Sequence, residues 1–326
     1  MPVGDEATAS DAMKGETVTS DELVREMESR GWRAAVVPAA RLGDLRREIE
    51  GRRAGLDPAY LAVVDRNLEL EAPATMSDAR SLVVVAVPHP CAQATFTVDG
   101  EARVVPIPTT YCHHAEIHAE VATAIALALA PAGLSAAPVS LPEKLLAVSA
   151  GLARYGRNTI AYVDGWGSFC ELVACVSDLA PGADPWTGPR LLERCDTCEA
   201  CRRACPTGAI EAGGLTLRGE RCLTLHNESE LPFTEWIDPA WHHCLWGCLR
   251  CQRCCPEDLA VRDQVDETAS FDERETRLLL GGVDHTLLDV ERALRDKLGA
   301  LGLLAYDDDF LGVALSRNLH AALAAR

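Results

Sequence analysis

Ten of the fourteen cysteines fall between residues 195 and 255, and their spacing limits the chain more than any other feature. The first run, Cys195-Asp-Thr-Cys198-Glu-Ala-Cys201-Arg-Arg-Ala-Cys205-Pro206, reads C-x2-C-x2-C-x3-C-P. Bacterial two-cluster chains use this spacing to wrap iron–sulfur cubanes, the fourth cysteine serving the other cluster. Each x2 step turns the next thiolate toward a common centre, and the proline sends the chain away from it. The second run is Cys248-Leu-Arg-Cys251-Gln-Arg-Cys254-Cys255-Pro256. Counting back from its Cys-Pro step gives Cys255, Cys251 and Cys248, then Leu245 where a fourth cysteine is expected. The missing ligand comes from elsewhere, with Cys222 the first choice and Cys244 the second; Cys254 is the alternative to Cys255. The expected sets are Cys195, Cys198, Cys201 and Cys255 for one cluster, and Cys205, Cys222, Cys248 and Cys251 for the other. Zinc sites usually pair two separated C-x2-C knuckles, so two [4Fe-4S] clusters are the expectation.

A chain of 326 residues suits about two domains or one large one. With 31 lysines and arginines against 49 acidic residues, the net charge of −18 lacks the global basic footprint of a nucleic-acid binder. No uninterrupted apolar run approaches the ~18 residues of a membrane span, and the N-terminus lacks the basic and apolar regions of a secretory signal. Cysteines in such a chain imply a reducing compartment and metal ligation. The expected location is the cytoplasm, with no membrane partner.

Residues 1–17 are small and polar and read as a disordered tail. Ser20-Asp21-Glu22 marks a helix start, Trp32 to Val37 a strand, and residues 41–53 a charged helix. Ser81 to Val87 is a continuous apolar, β-branched run and predicts a buried central strand. Residues 96–105 predict a hairpin about Asp99-Gly100. Ile117, Val121, Ile125 and Leu129 repeat at i+4 along a helix from about His113 to Ala130, and another helix covers Pro142 to Leu152. Thr159 to Val163 and Glu171 to Val176 read as strands, and Ala180 to Arg190, rich in proline and glycine, as a linker. Helices are expected at Phe271 to Leu280, Thr286 to Leu298 and Phe310 to Ala325. The fold class is α+β: an α/β sandwich-like domain over 18–184, a double [4Fe-4S] ferredoxin-like domain over 185–262 and a helical segment over 263–326.

With the cysteines placed, the chain resembles the epoxyqueuosine reductase family, cobalamin- and iron–sulfur-dependent enzymes of tRNA modification, and is distantly similar to reductive dehalogenases. Ala150-Gly151-Leu152-Ala153-Arg154-Tyr155-Gly156-Arg157-Asn158 is similar to the family's A-G-L-G-x-x-G-K-N segment. Gly167-Ser168, Ser177-Asp178-Leu179, Arg221-Cys222 and Ser316-Arg317-Asn318-Leu319 also have counterparts, and Tyr111 to His118 resembles Y-A-x-G-x-D-Y-H. The resemblance implies a nitroreductase-like N-terminal domain, and it favours Cys222 over Cys244. It implies a corrin near Gly151 and Gly156, with Arg157 and Asn158 meeting its amides or phosphate. The departures are as informative. The family's proposed proton donor, an aspartate, aligns with Ala137; Ile117 replaces a tyrosine and Ala153 a glycine; and the C-terminal tRNA-binding repeats are absent or cut short.

His118 and Glu143 are therefore the candidate catalytic residues, since imidazole titrates near neutrality. His114 and His118 stand i, i+4 as metal ligands do, without the H-E-x-x-H order of a zinc hydrolase. Cys170 and Cys175 read as core, Cys112 as a candidate reactive thiol, His242 and His243 as groups bonding a cluster, and Trp236, Trp241 and Trp246 as its shield. The function expected is cobalamin-dependent reduction of a small molecule, with two clusters relaying electrons from an external low-potential donor of ferredoxin or flavodoxin type. The alternatives are an electron-transfer protein with a docking domain, favoured by the loss of the aspartate, and a tRNA-acting epoxyqueuosine reductase, disfavoured by the acidic surface.

Overall fold

The computed structural model describes residues 17–67, 70–213, 215–229 and 231–324. The strands are β1 (Arg33–Pro38), β2 (Ser81–Pro88), β3 (Cys91–Val98), β4 (Glu101–Ile107), β5 (Ala136–Pro138), β6 (Arg154–Tyr155), β7 (Ala161–Tyr162), β8 (Cys170–Ser177) and β9 (Val265–Phe271). The helices through the first half are α1 (Ser20–Ser29), α2 (Leu42–Arg53), α3 (Pro58–Asn67), α4 (His114–Leu129) and α5 (Glu143–Ser149). The cysteine region carries α6 (Ala200–Ala204), α7 (Leu223–Glu228) and α8 (Arg250–Arg253). The chain then runs through α9 (Glu273–Gly281), α10 (His285–Val290), α11 (Arg292–Ala300) and α12 (Leu315–Ala324).

The first sheet has the order β1-β2-β8-β5 with every pair antiparallel. Side chains alternate across a strand, and β2 is apolar on both faces. Leu82, Val84 and Ala86 join a core with Leu45 of α2 and Leu145 and Leu146 of α5. Val83 and Val85 join a second core with Leu23 and Met27 of α1 and Val121, Ile125 and Leu129 of α4. Helices thus cover both faces, which explains why the run carries no polar alternation. Each such aliphatic side chain contributes about 1.5–3 kcal/mol on full burial. At α1 the cap is Thr19, one residue before the expected start: its hydroxyl accepts from Glu22 N, and Thr19 N donates to the Glu22 carboxylate at 2.8 Å. Residues 114–132 are, by length and composition alone, apolar enough to cross a membrane. Counting only uninterrupted apolar residues misses this, because His114, His118, Glu116 and Glu120 break the run. In the fold, α4 lays one face on the sheet.

The expected hairpin extends further than 96–105, joining all of β3 to β4. Asp99 and Gly100 have φ of 51° and 78°, the left-handed pair of a two-residue turn. Its sheet is completed by β9, parallel to β3, giving the order β4-β3-β9. Phe96 stacks on Phe271 with centroids 5.0 Å apart, a pairing that contributes about 0.5–1.5 kcal/mol beyond area burial. The C-terminal helices close over this sheet in a separate core. The segment expected to be wholly helical after 263 therefore opens with a strand, and that strand ties it to the N-terminal half. The helix expected from Thr286 to Leu298 is two, α10 and α11, meeting at Glu291. A π turn over Phe310–Ala314 precedes α12. The tail expected over 1–17 lies, apart from Thr17, outside the described residues.

Candidate functional site

The two cysteine runs lie on short helices and loops. Cys195, Cys198, Cys201 and Cys255 line one cavity, with Gly156, Arg157, Asn158 and Tyr162 on its wall. Cys205, Cys222, Cys248 and Cys251 line another, with Asn158, Thr159 and Ile160 on its wall. Asn158 borders both, donating from Nδ2 to the Tyr162 hydroxyl at 2.9 Å and to the Cys251 carbonyl at 3.5 Å.

The segment expected to face a corrin contributes to these walls. Arg157 N donates to Cys195 Sγ at 3.4 Å, and its guanidinium donates to the carbonyls of Cys195 and Ala212. Arg157 thus holds the first cysteine loop through two of its guanidinium nitrogens. A Cβ on Gly156 would strike the Asn158 amide and come within 2.5 Å of the Tyr162 ring, so glycine here admits those two side chains. Gly151 lies on an exposed turn after α5, beside Pro185, away from either cavity lining. Of the four residues expected at a corrin, Asn158 alone lines the larger cavity. Next to it Thr159 holds φ at 60°, an outlier for a β-branched residue.

That larger cavity opens into a cleft of about 360 Å³. Tyr60, Tyr111, Ile210, Leu217 and Leu223 give it apolar walls, and Lys144, Glu228, Arg250 and Gln252 give it polar ones. The Tyr111 hydroxyl donates to the Glu228 carboxylate. Burial raises the Glu228 pKa, against the effects of Tyr111 and Lys144.

Past Tyr111 the chain turns into α4, whose first two turns present His114 and His118 on one face, ring centroids 4.0 Å apart. Both imidazoles meet one oxygen of Glu171 on β8: His114 Nδ1 lies 2.8 Å and His118 Nε2 3.2 Å from Oε1. Burial pushes the Glu171 carboxyl up, but the bonds and charges of the two histidines outweigh it and leave its pKa lowered. The hydrogen bond to Glu171 raises His114. Glu143, at the start of α5, is raised chiefly by burial and lies within electrostatic reach of His114, His118 and Glu171. The candidate catalytic residues His118 and Glu143 are thus brought together. Glu171 escaped the sequence reading, although a lone carboxylate in the buried run Cys170–Ser177 was a signal for it.

Several other expectations change. Cys112 lies fully buried in the C-terminal core, an environment that suits a thiol poorly for reaction. Burial raises the Cys175 and Cys170 thiols to about 12, in keeping with core positions. Cys244 packs with Cys91, Phe169 and Leu249, while the Cys254 thiol approaches the Cys251 carbonyl at 3.5 Å. His242 stacks on Phe233 and has neither ring nitrogen paired. His243 contacts Trp241 O and Leu249 N. Among the described residues neither histidine bonds a cysteine: His242 packs on Phe233 and His243 bonds the loop backbone. Trp246 stacks on Phe310 in the C-terminal core at 4.8 Å, and Trp236 is 42% exposed beside Trp241. None of the three indoles lines a cysteine cavity among the described residues.

Gly167-Ser168 and Arg317-Asn318 prove to be latches. Asp258, just beyond the second cysteine run, accepts from Ser168 N at 2.7 Å and Ser168 Oγ at 2.8 Å. Arg317 donates to the carbonyls of His226, Asn227 and Leu231, and Asn318 to that of Asn227. Together they fasten α12 to the segment that follows Cys222.

Residues 191–211 match the 4Fe-4S binding domain family. The chain is 33% identical to the epoxyqueuosine reductase of Francisella cf. novicida (strain Fx1) over 117 residues, 35% of this chain and 31% of that protein. To the epoxyqueuosine reductase of Escherichia coli (strain K12) it is 32% identical over 194 residues, 54% of this chain and 49% of that protein. The chain thus spans about a third to a half of the length of these curated relatives. The structure of epoxyqueuosine reductase from Streptococcus thermophilus superposes with a TM-score of 0.62 at 16% identity, covering 93% of this chain and 80% of that one. An epoxyqueuosine reductase solved with an epoxyqueuosine-modified tRNA-Tyr stem loop gives 0.61 at 17% identity with the same coverage. The chain has mixed helix and sheet in the fold of the epoxyqueuosine reductases, matches a 4Fe-4S binding domain over residues 191–211, and is similar in sequence to those enzymes over part of its length.

Proposed function

We propose that this chain is an iron–sulfur oxidoreductase that reduces a substrate at the cleft beside Cys205, Cys222, Cys248 and Cys251. Those four residues would hold one [4Fe-4S] cluster, and Cys195, Cys198, Cys201 and Cys255 the other. The cleft would hold cobalamin. When bound, these groups supply low-potential electrons, for which clusters reach about −700 mV. The observation that carries the reading is the grouping of eight cysteines, four and four, around two cavities that share Asn158. The donor set is right for the clusters, four thiols to each cavity. The cleft's apolar walls and few convergent polar groups have the make-up of a cofactor site, and its about 360 Å³, which includes the space between the four thiols, would take in part of the corrin with the rest outside. The first sheet, with helices on both faces, supports a nitroreductase-like description of the N-terminal half.

The chain's own residues have definable tasks here. Arg157 N–H holds Cys195 Sγ, and hydrogen bonds to sulfur are one of the levers on cluster potential. Asn158 and Tyr162 fill the space between the cavities. Tyr111, Glu228 and Lys144 orient what enters the cleft. Ala137, in β5, has no proton to give, so His118 and Glu143 supply it, with Glu171 fixing the imidazole. Electrons come from an external donor of ferredoxin or flavodoxin type.

The net charge of −18 supports a small-molecule substrate over a polyanion. The likeness to a protein solved with a tRNA stem loop favours a second reading, in which tRNA binds at a local patch. Anaerobic reconstitution with iron and sulfide, followed by cobalamin titration read by visible absorption, tests the proposal. A saturable change at one corrinoid per chain supports it. No change refutes the corrinoid part and favours an electron-transfer protein. A salt-sensitive tRNA mobility shift would establish the second reading.

A further inference from the structure

Two imidazoles aimed at one oxygen of a largely buried carboxylate form an unusual group for a simple ion pair. Glu171 is only 7% exposed, His118 26% and His114 51%. The rings stand 4.0 Å apart, so protonating both places two like charges in contact. The three donor atoms all lie within 4.8 Å of one another. Around a zinc ion with bonds of about 2.0–2.2 Å, neighbouring ligand atoms stand roughly 3.3 Å apart. The observed separations of 2.8 Å and 3.2 Å to Oε1 need little adjustment to reach that value.

We propose that His114 Nδ1, His118 Nε2 and the Glu171 carboxylate bind a divalent first-row transition ion. Two histidines and one carboxylate are the donor set of catalytic zinc and non-haem iron sites, which leave positions open for water. The exposed side of His114 gives the ion a route from solvent. Glu171 is fixed by β8, whose pairing with β2 sets Glu171 opposite Val87. The i, i+4 spacing on α4 sets the two imidazoles. Glu143 lies outside the ligand set, within electrostatic reach of all three donors. With the ion bound His118 is a ligand and no proton donor, which leaves Glu143 as the candidate donor of the proposed reductase; that consequence rests on the proposed function, whereas metal binding does not, and its test needs no corrinoid and no turnover.

The experiment uses the full chain with its clusters reconstituted anaerobically. Zn²⁺ is added, excess is removed by desalting, and zinc and iron are counted by mass spectrometry. The zinc K-edge spectrum then reports the ligand shell. The expected result is one zinc per chain beyond background, with nitrogen and oxygen neighbours at about 2.0–2.2 Å. His118→Ala and Glu171→Gln should each weaken binding beyond the about 10–100-fold that outer-shell changes cost, at unchanged iron content. A shell dominated by sulfur at about 2.3 Å, no retained zinc, or equal affinity in both variants overturns the proposal. If a variant fails to fold, the wild-type spectrum decides alone.

Discussion

Replacing Cys222 and Cys244 separately gives opposite outcomes if the cavity linings are the ligand sets. Cys222 lines the larger cavity with Cys205, Cys248 and Cys251. Cys244 is fully buried among Cys91, Phe169 and Leu249. Two [4Fe-4S] clusters amount to eight irons per chain, so Cys222→Ala should leave about four. Cys244 lies within electrostatic reach of Cys248 but packs in its own apolar group, so it should not complete the set. Cys244→Ala should keep all eight irons. It removes one heavy atom from a packed core, which costs about 1 kcal/mol by comparison with the loss of one methylene. In a chain of this size that lowers the melting midpoint by about 2 °C. Iron and sulfide analysis after anaerobic reconstitution, with electron paramagnetic resonance of the dithionite-reduced protein, reads both outcomes. Four irons in Cys244→Ala and eight in Cys222→Ala would refute the reasoning from the cavity linings.

Gly167→Ala should be severe: at φ +60° the new Cβ would run into Asp258 Oδ1 and sit 3.1 Å from Glu257 O. Left-handed strain and overpacking together cost about 2–5 kcal/mol, and a melting midpoint within 1 °C of wild type would contradict this. Burial lifts the Asp258 pKa from 3.8 to about 6, against the hydrogen bonds of Ser168. A raised carboxyl binds its proton more tightly when folded, so stability is highest below the unfolded value and declines as pH rises through the folded one. The loss between pH 5 and 7 is about 1 kcal/mol of a total of about 3; urea unfolding across that range should show it, and Asp258→Asn should flatten it. The imidazole of His114 should titrate above 6.5 by NMR and fall back in Glu171→Gln. Its contribution with Glu171 is present below 6.5 and lost as pH rises through the raised value, while that of Glu171 is present above 4.5 and lost as pH falls through the lowered one. An unchanged His114 titration in the variant would show that Glu171 is not its partner.

Local features were readable because their causes are local. Cysteine spacing reports loop geometry directly, and the doubly apolar β2 could only be a strand covered on both faces. Asp99-Gly100 fixed a turn type through its own dihedrals. What escaped depended on contacts far along the chain. The pairing of β9 with β3 joins residues about 170 positions apart, and nothing within Val265–Phe271 announces a parallel partner. Arg157 carries the same motif whether its guanidinium meets a cofactor or a carbonyl, and only the path of residues 195–212 decides. Glu171 becomes a partner of His114 and His118 because β8 and α4 pack together, 53 residues apart in sequence for the nearer histidine.

The shared wall at Asn158 bears on how such a protein can be taken apart. The cysteine motif looks like a cassette to be cut at the irregular Ala180–Arg190 stretch and moved to another host. Yet the partition between its two cavities belongs to a turn upstream of that cut, as do Tyr162 and Ser168. A fragment starting after Arg190 would keep every one of the eight thiols and lose the insulation between them. The walls of the two cysteine cavities are therefore a property of both halves folded together, and transplanting the motif without its turn would transplant the thiols but not the cavities they line.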